Sequence, residues 1–135
     1  MPRLYREARL ASIWEGSGNV MSLDVLRALT RAPRSLEVFF DELQQAHGAN
    51  AQLDASVLKL KDQFSDPATL ETRARRVVES MALCLQGSLL VRSAPAAVAD
   101  AFCASRLAGD GGLEYGTLPA GVDFDAIIAR SQVHL

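Results

Sequence analysis

Apolar residues recur at spacings of three and four along most of the chain, and no run alternates strictly enough to predict a strand. From Val20 to about Arg31 the pattern includes Leu23, Val25, Leu26 and Leu29 with few polar interruptions, which predicts a helix apolar on all sides and buried between others. Ala32-Pro33 stops it, and Ser35 is placed to cap the next helix. That helix carries Leu36, Phe39, Phe40 and Leu43 and stops at Gly48, with His47 as a residue of its C-terminal end. Leu53, Val57, Leu60 and Phe64 form a third stripe. Asp66-Pro67 opens a fourth helix, Asp66 as cap and Pro67 at the first position. Its stripe of Leu70, Ala74, Val77, Met81, Cys84, Leu85 and Leu89 predicts the longest helix, running to about Arg92. Pro95 starts a fifth along Val98, Ala101 and Phe102. Gly109-Asp110-Gly111-Gly112 is a loop, Leu118–Val122 a second break, and Asp123 caps a short last helix bearing Phe124, Ile127 and Ile128. The expected fold class is all-α, an up-and-down helical bundle with short connections.

Residues 1–19 stand outside this pattern and are expected to be irregular. They hold the most distinctive chemistry. Glu15 follows the apolar pair Ile13-Trp14, which can desolvate its carboxylate and raise its pKa toward that of a general base. Gly16-Ser17-Gly18 allows close approach of a ligand to the backbone, and Asn19 is placed to cap a helix starting at Val20. A helix N-terminus behind such a turn suits an anionic group such as a pyrophosphate. The same residues read equally as a turn and a cap, with Glu15 a solvated loop acid.

The opening segment from Met1-Pro2-Arg3-Leu4-Tyr5, through Ile13-Trp14-Glu15-Gly16-Ser17-Gly18-Asn19-Val20, to Leu23-Asp24-Val25-Leu26-Arg27 resembles part of the acyl-CoA dehydrogenase superfamily. Other members have Tyr-Glu-Gly-Thr where this chain has Trp14-Glu15-Gly16-Ser17, so the likeness is to the AidB-like, alkylation-response branch. Ser93-Ala94-Pro95 and Ala101-Phe102-Cys103 also resemble that branch. The resemblance implies a C-terminal helical domain. It makes residues 1–19 a flavin and active-site loop segment, and residues 20–135 the bundle of a longer chain. It puts Glu15 in the position of the base that removes the α-proton of an acyl-CoA thioester while a flavin accepts hydride. Ile13, Trp14, Gly16, Ser17, Gly18, Asn19, Val20, Met21 and Leu23 are then the FAD-contacting residues. The cofactor belongs to the longer protein, and this stretch by itself is expected to be colourless and inactive. The resemblance further implies a homo-oligomer, dimer or tetramer, and an association with double-stranded DNA through basic residues.

Charge bears on that last point. The net charge is −2, but residues 1–34 balance at +3 and the rest at −5. Arg27, Arg31 and Arg34 share one side of the first long helix and its exit, and Arg73, Arg75 and Arg76 form a second group. These six are the candidate DNA-binding residues, able to neutralise phosphates without reading sequence. Ion pairing with Asp24, Glu37, Glu71 and Glu79 is the alternative. The acidic balance after residue 34 and the presence of only Lys59 and Lys61 as lysines count against a strong DNA surface. An ordinary acyl-CoA dehydrogenase domain and a purely structural oligomerisation bundle therefore stay open. Cys84 and Cys103 lie in apolar patterns and are expected to be buried free thiols, which fits a cytoplasmic protein. His47 and His134 have no partners at metal-binding spacing, and no segment offers the roughly 20 apolar residues of a membrane span.

Overall fold

The computed structural model describes residues 2–8, 10, 18–112 and 114–132. Seven α-helices and no strand are found among them. They are α1 (Pro2–Ala8), α2 (Gly18–Arg31), α3 (Arg34–Gln44), α4 (Ala51–Gln63), α5 (Ala74–Ser93), α6 (Ala96–Phe102) and α7 (Phe124–Ser131). The all-α bundle predicted from the apolar stripes is the observed fold.

The bundle is built around α5, which packs against α2, α3, α4 and α6. Its inward residues Val77, Met81 and Cys84 meet Leu43 of α3 and Leu60 of α4 in the main core. Val25, Leu29, Phe39, Phe40 and Phe64 close over them half-buried. A second cluster of Ala46, Leu53 and Cys103 joins the first through Val57 and Leu107. Both thiols are buried and free, as expected. Burial pushes the Cys84 thiol up to about 11, so it keeps its proton throughout the neutral range.

Small residues allow a close approach on α5. A side-chain carbon at Gly87 would lie 2.9 Å from Leu107 Cδ1 and 3.2 Å from Leu53 Cδ1. The neighbouring Ser88 is fully buried. The Gly87-Ser88 step lets α4 and the turn of 103–107 close on α5. That turn is a π-type continuation of α6, with Ala108 N–H donating to Cys103 O at 2.9 Å. It is held to α4 by Ser56 Oγ donating to Leu107 O at 3.3 Å.

Several local expectations change. Residues 2–8 are helical, so the opening segment is not irregular throughout. Arg3 and Glu7 pair across one turn of that helix at 2.8 Å, which supports it locally. α2 starts at Gly18, and Asn19 is its second residue rather than its cap. Nor is α2 buried on all sides. Ser22 is its one buried residue, while Val20 and Met21 are 46% and 54% exposed. The helix lies at the edge of the bundle, so an apolar sequence there does not imply neighbours all round.

Ser35 does not cap α3. The helix starts at Arg34 after a Pro33 already in helical conformation, with no side-chain cap bond. Proline's fixed φ and the Ser35 N–H bond to Ala32 O at 2.8 Å take over that task. Gly48, at φ +80°, follows the end of α3 in the left-handed conformation that glycine adopts at least cost. Asn50 caps α4 by accepting from the N–H groups of Gln52 and Leu53. The fourth helix of the sequence reading is broken at its start. Asp66 and Pro67 open a 3₁₀ turn, Pro67–Thr69, a second spans Glu71–Arg73, and the α-helix proper begins at Ala74. Asp123 caps α7 as expected, accepting from Ala126 N–H at 3.0 Å.

Gly87→Val should force Leu107 and Leu53 aside and destabilise the bundle by about 1–3 kcal/mol. Urea unfolding followed by circular dichroism measures it, and a midpoint equal to that of the parent protein would show that the helices do not close at this point.

Candidate functional site

The segment 66–73 explains how one group of arginines is placed. Asp66 Oδ2 accepts from Thr69 Oγ1 at 2.7 Å, which tightens the first 3₁₀ turn. Arg73 then folds back over it. Its Nε donates to Thr69 Oγ1 at 2.9 Å, and its Nη2 donates to the carbonyls of Gln63 and Asp66, each at 3.2 Å. A guanidinium carries five donors in a planar fork, and three of these contacts tie the exit of α4 to the entry of α5. Arg73 is thereby a structural residue.

With Arg73 holding the corner, Arg75 and Arg76 project from the first turn of α5 and are exposed. They line an open groove of about 720 Å³ together with Asn19 and Leu23 of α2, Ala68, the Glu71 carboxylate, Thr72 and Arg73 of the connecting segment, and Ala74. The Arg75 guanidinium approaches the start of α2, 3.5 Å from where a side-chain carbon at Gly18 would stand. The structure thus brings together residues assigned from the sequence to two different ligands. Gly18, Asn19 and Leu23 belong to the expected flavin set, and Arg75 and Arg76 to the expected DNA set. Val20 and Met21, also in the flavin set, are exposed beside them. The remaining members, Ile13, Trp14, Gly16 and Ser17, and the expected base Glu15, lie outside the described residues.

This donor set suits a phosphate or pyrophosphate. It combines two guanidiniums, the amide of Asn19 and the N-terminal end of a 14-residue helix. The phosphate-bearing part of a dinucleotide fits these residues. Ala68 and Thr72 were missed from the sequence because no motif marks them; only the fold carries them to the groove.

The first arginine group behaves differently. Arg27 pairs with Asp24 at 2.5 Å on the surface of α2. Arg27 and Arg31 border a second, more apolar groove of about 630 Å³ that adjoins the first at Leu23 and Glu71. Arg34 lines neither groove. Among the described residues Arg31, Arg34, Arg75 and Arg76 take part in no ion pair, and of the four acids expected as partners only Asp24 does. A pair not anticipated from the sequence, Arg92 with Glu42 at 2.6 Å, links α5 to α3. His47 sits beside Asp54 at 3.2 Å, and the Gly48 N–H donates to the same carboxylate. No group of His, Cys, Asp and Glu able to hold a metal occurs among the described residues. None of their helices is long and apolar enough to cross a membrane.

No family model matches the chain. Over 113 residues, 84% of this chain, it is 34% identical to AidB of Escherichia coli (strain K12), a protein named among the acyl-CoA dehydrogenases, and the match takes in 20% of that relative. Over 93 residues, 69% of the chain, it is 30% identical to acyl-CoA dehydrogenase family member 11 of Caenorhabditis elegans, and the match takes in 15% of that protein. The chain spans a fifth or less of the length of these curated relatives. It belongs to the acyl-CoA dehydrogenase superfamily and is AidB-like.

Arg73→Ala should remove three bonds across the corner and lower the melting temperature by several degrees, whereas Arg76→Ala should leave it within about one degree. Differential scanning calorimetry of both variants checks this. Equal melting temperatures would remove Arg73 from its anchoring role.

Proposed function

We propose that this chain is the C-terminal helical domain of a flavin-dependent, cytoplasmic acyl-CoA dehydrogenase-like protein that assembles as a dimer or tetramer, and that its α2–α5 end forms one wall of the FAD site. The observation that carries the reading is the shared groove. Asn19 and Leu23 lie beside Arg75 and Arg76 and the entry of α2, an arrangement whose chemistry fits the pyrophosphate of a dinucleotide. When bound, the flavin would supply the hydride acceptor. Residues 1–19 form the active-site loop segment and 20–135 the bundle. Glu15, next to Ile13-Trp14, takes the α-proton of the acyl-CoA thioester, because a carboxylate shielded by apolar neighbours is a stronger base than a solvated one. The rest of the flavin and acyl sites belongs to the longer protein, so the 135-residue chain alone is colourless and inactive.

In the full-length protein Glu15→Gln should keep the shape of the site and abolish acyl-CoA oxidation, a loss of at least about a thousandfold in kcat. Turnover within about threefold of the parent enzyme would take Glu15 out of the base role.

A second reading has its own observation: Arg31, Arg34, Arg75 and Arg76 make no ion pair among the described residues and are exposed. Such residues can neutralise phosphates of double-stranded DNA. One pair of variants separates the two. Arg75→Ala/Arg76→Ala in the full-length protein should weaken FAD binding at least about tenfold. Under the second reading it instead lowers the slope of log K against log salt for duplex binding by about two units, with FAD affinity unchanged. An effect on neither ligand would contradict both assignments of this groove.

A further inference from the structure

A cleft of about 140 Å³ lies between α4, the middle of α5 and the 103–107 turn, and no acidic residue lines it. It shares no lining residue with the α2–α5 groove. Ser56, Lys59 and Gln63 reach it from one face of α4, at spacings of three and four, and Ser80 and Cys84 stand one turn apart on α5. Ser56 Oγ donates to Leu107 O at 3.3 Å, which fixes the 103–107 turn against α4 and carries Arg106 to the cleft. The buried Cys84 thiol keeps its proton, so it adds no negative charge there.

The polar groups of the cleft are unspent. Among the described residues Lys59 and Arg106 take part in no ion pair or hydrogen bond, and the Ser80 hydroxyl makes no hydrogen bond. Gln63 stands out, because its Oε1 is buried and makes no hydrogen bond. A buried acceptor left without a donor is costly. The residue itself is held in place, since its backbone carbonyl accepts from Arg73 Nη2 at 3.2 Å. That guanidinium also offsets the partial negative charge of the last carbonyls of α4. The cleft therefore presents two cations and a hydroxyl donor beside one acceptor that needs a proton. A matching ligand is a small anion that also carries an O–H. Hydrogen phosphate keeps one P–OH in neutral solution, whereas sulfate of the same charge keeps none. The volume equals that of about four or five molecules of liquid water and falls below the roughly 300 Å³ of a pocket for a larger organic ligand.

We propose that this cleft is a binding site for inorganic phosphate, held by Lys59, Arg106 and Ser80, with its P–OH donating to Gln63 Oε1. The charge-assisted bonds supply affinity. The bond to Gln63 supplies selectivity, because it satisfies an acceptor that sulfate leaves unpaired. The bound ion joins α4, α5 and the 103–107 turn, and so stabilises the bundle that it binds. The site stands independently of the flavin assignment.

Nitrogen–proton NMR of the full 135-residue chain, titrated with sodium phosphate at neutral pH and constant ionic strength, tests it. Phosphate should shift the Gln63 side-chain amide and the backbone amides of residues 59, 80 and 106 saturably. Sulfate should bind there at least about fivefold more weakly. Gln63→Leu should keep the fold and bring the two affinities within about twofold of each other, which general loosening of the bundle would not do. Lys59→Ala with Arg106→Ala should weaken phosphate binding at least about tenfold, and Arg75→Ala with Arg76→Ala should leave it unchanged. Methyl phosphate should bind more weakly than the free ion. The absence of saturable shifts at the cleft, their loss on replacing Arg75 and Arg76, or equal affinity of the parent protein for phosphate and sulfate would overturn the proposal. Tighter binding of methyl phosphate would overturn the assignment to the free ion.

Discussion

The structure depends on the close approach that Gly87 permits at the middle of α5. Leu53 of α4 and Leu107 of the 103–107 turn both reach the backbone there, within the radius that a larger side chain would need. That contact joins the two core clusters, because Leu107 and Val57 belong to both. With α4 and the 103–107 turn fixed on α5, α2 and α3 complete the packing around it. Leu43, Leu60 and Val77 close that end almost completely. A core this tight is sensitive to added volume as much as to lost volume.

The candidate site inherits its position from this core through one corner. α5 cannot begin where α4 ends, since Asp66 and Pro67 start a 3₁₀ turn and Arg73 folds back on the carbonyls of Gln63 and Asp66. That consumes one arginine and directs the next two outward. Arg75 and Arg76 therefore meet the entry of α2, where the Arg75 guanidinium lies 3.5 Å from where a side-chain carbon at Gly18 would stand, an ordinary contact distance. Two guanidiniums held beside a helix N-terminus repel its partial positive charge, and an anion between them relieves that repulsion. Such a groove suits a phosphate-bearing ligand.

Much of the fold was legible because amphipathic stripes report burial directly. Leu53, Val57 and Leu60, and Val77, Met81 and Cys84, fall where their spacing placed them. The side-chain caps Asp66 and Asp123 were read correctly, the Asn50 cap of α4 was not anticipated, and the expected caps Ser35 and Asn19 do not cap. At Arg34 a proline in helical conformation makes a cap unnecessary, and at Gly18 the helix simply starts earlier than its first apolar residue. The all-round apolar pattern of α2 misled because an edge helix can be as apolar as a central one. For the site, the sequence marked the arginines but not their employment. Arg73, Arg75 and Arg76 look alike in one dimension and all three line the groove, and only the fold shows that Arg73 is bonded across a corner. The carboxylate at Glu15 lies outside the described residues, so its place in the site rests on sequence resemblance.

The central claim is that a flavin dinucleotide contacts the α2–α5 end of this bundle. Hydrogen exchange of the full-length protein with and without FAD, read by mass spectrometry, tests it most directly. FAD should slow exchange at residues 18–23 and 74–77 and leave residues 51–63 of α4 unchanged. Unaltered exchange at 18–23 and 74–77 in the flavin-saturated protein would contradict the account.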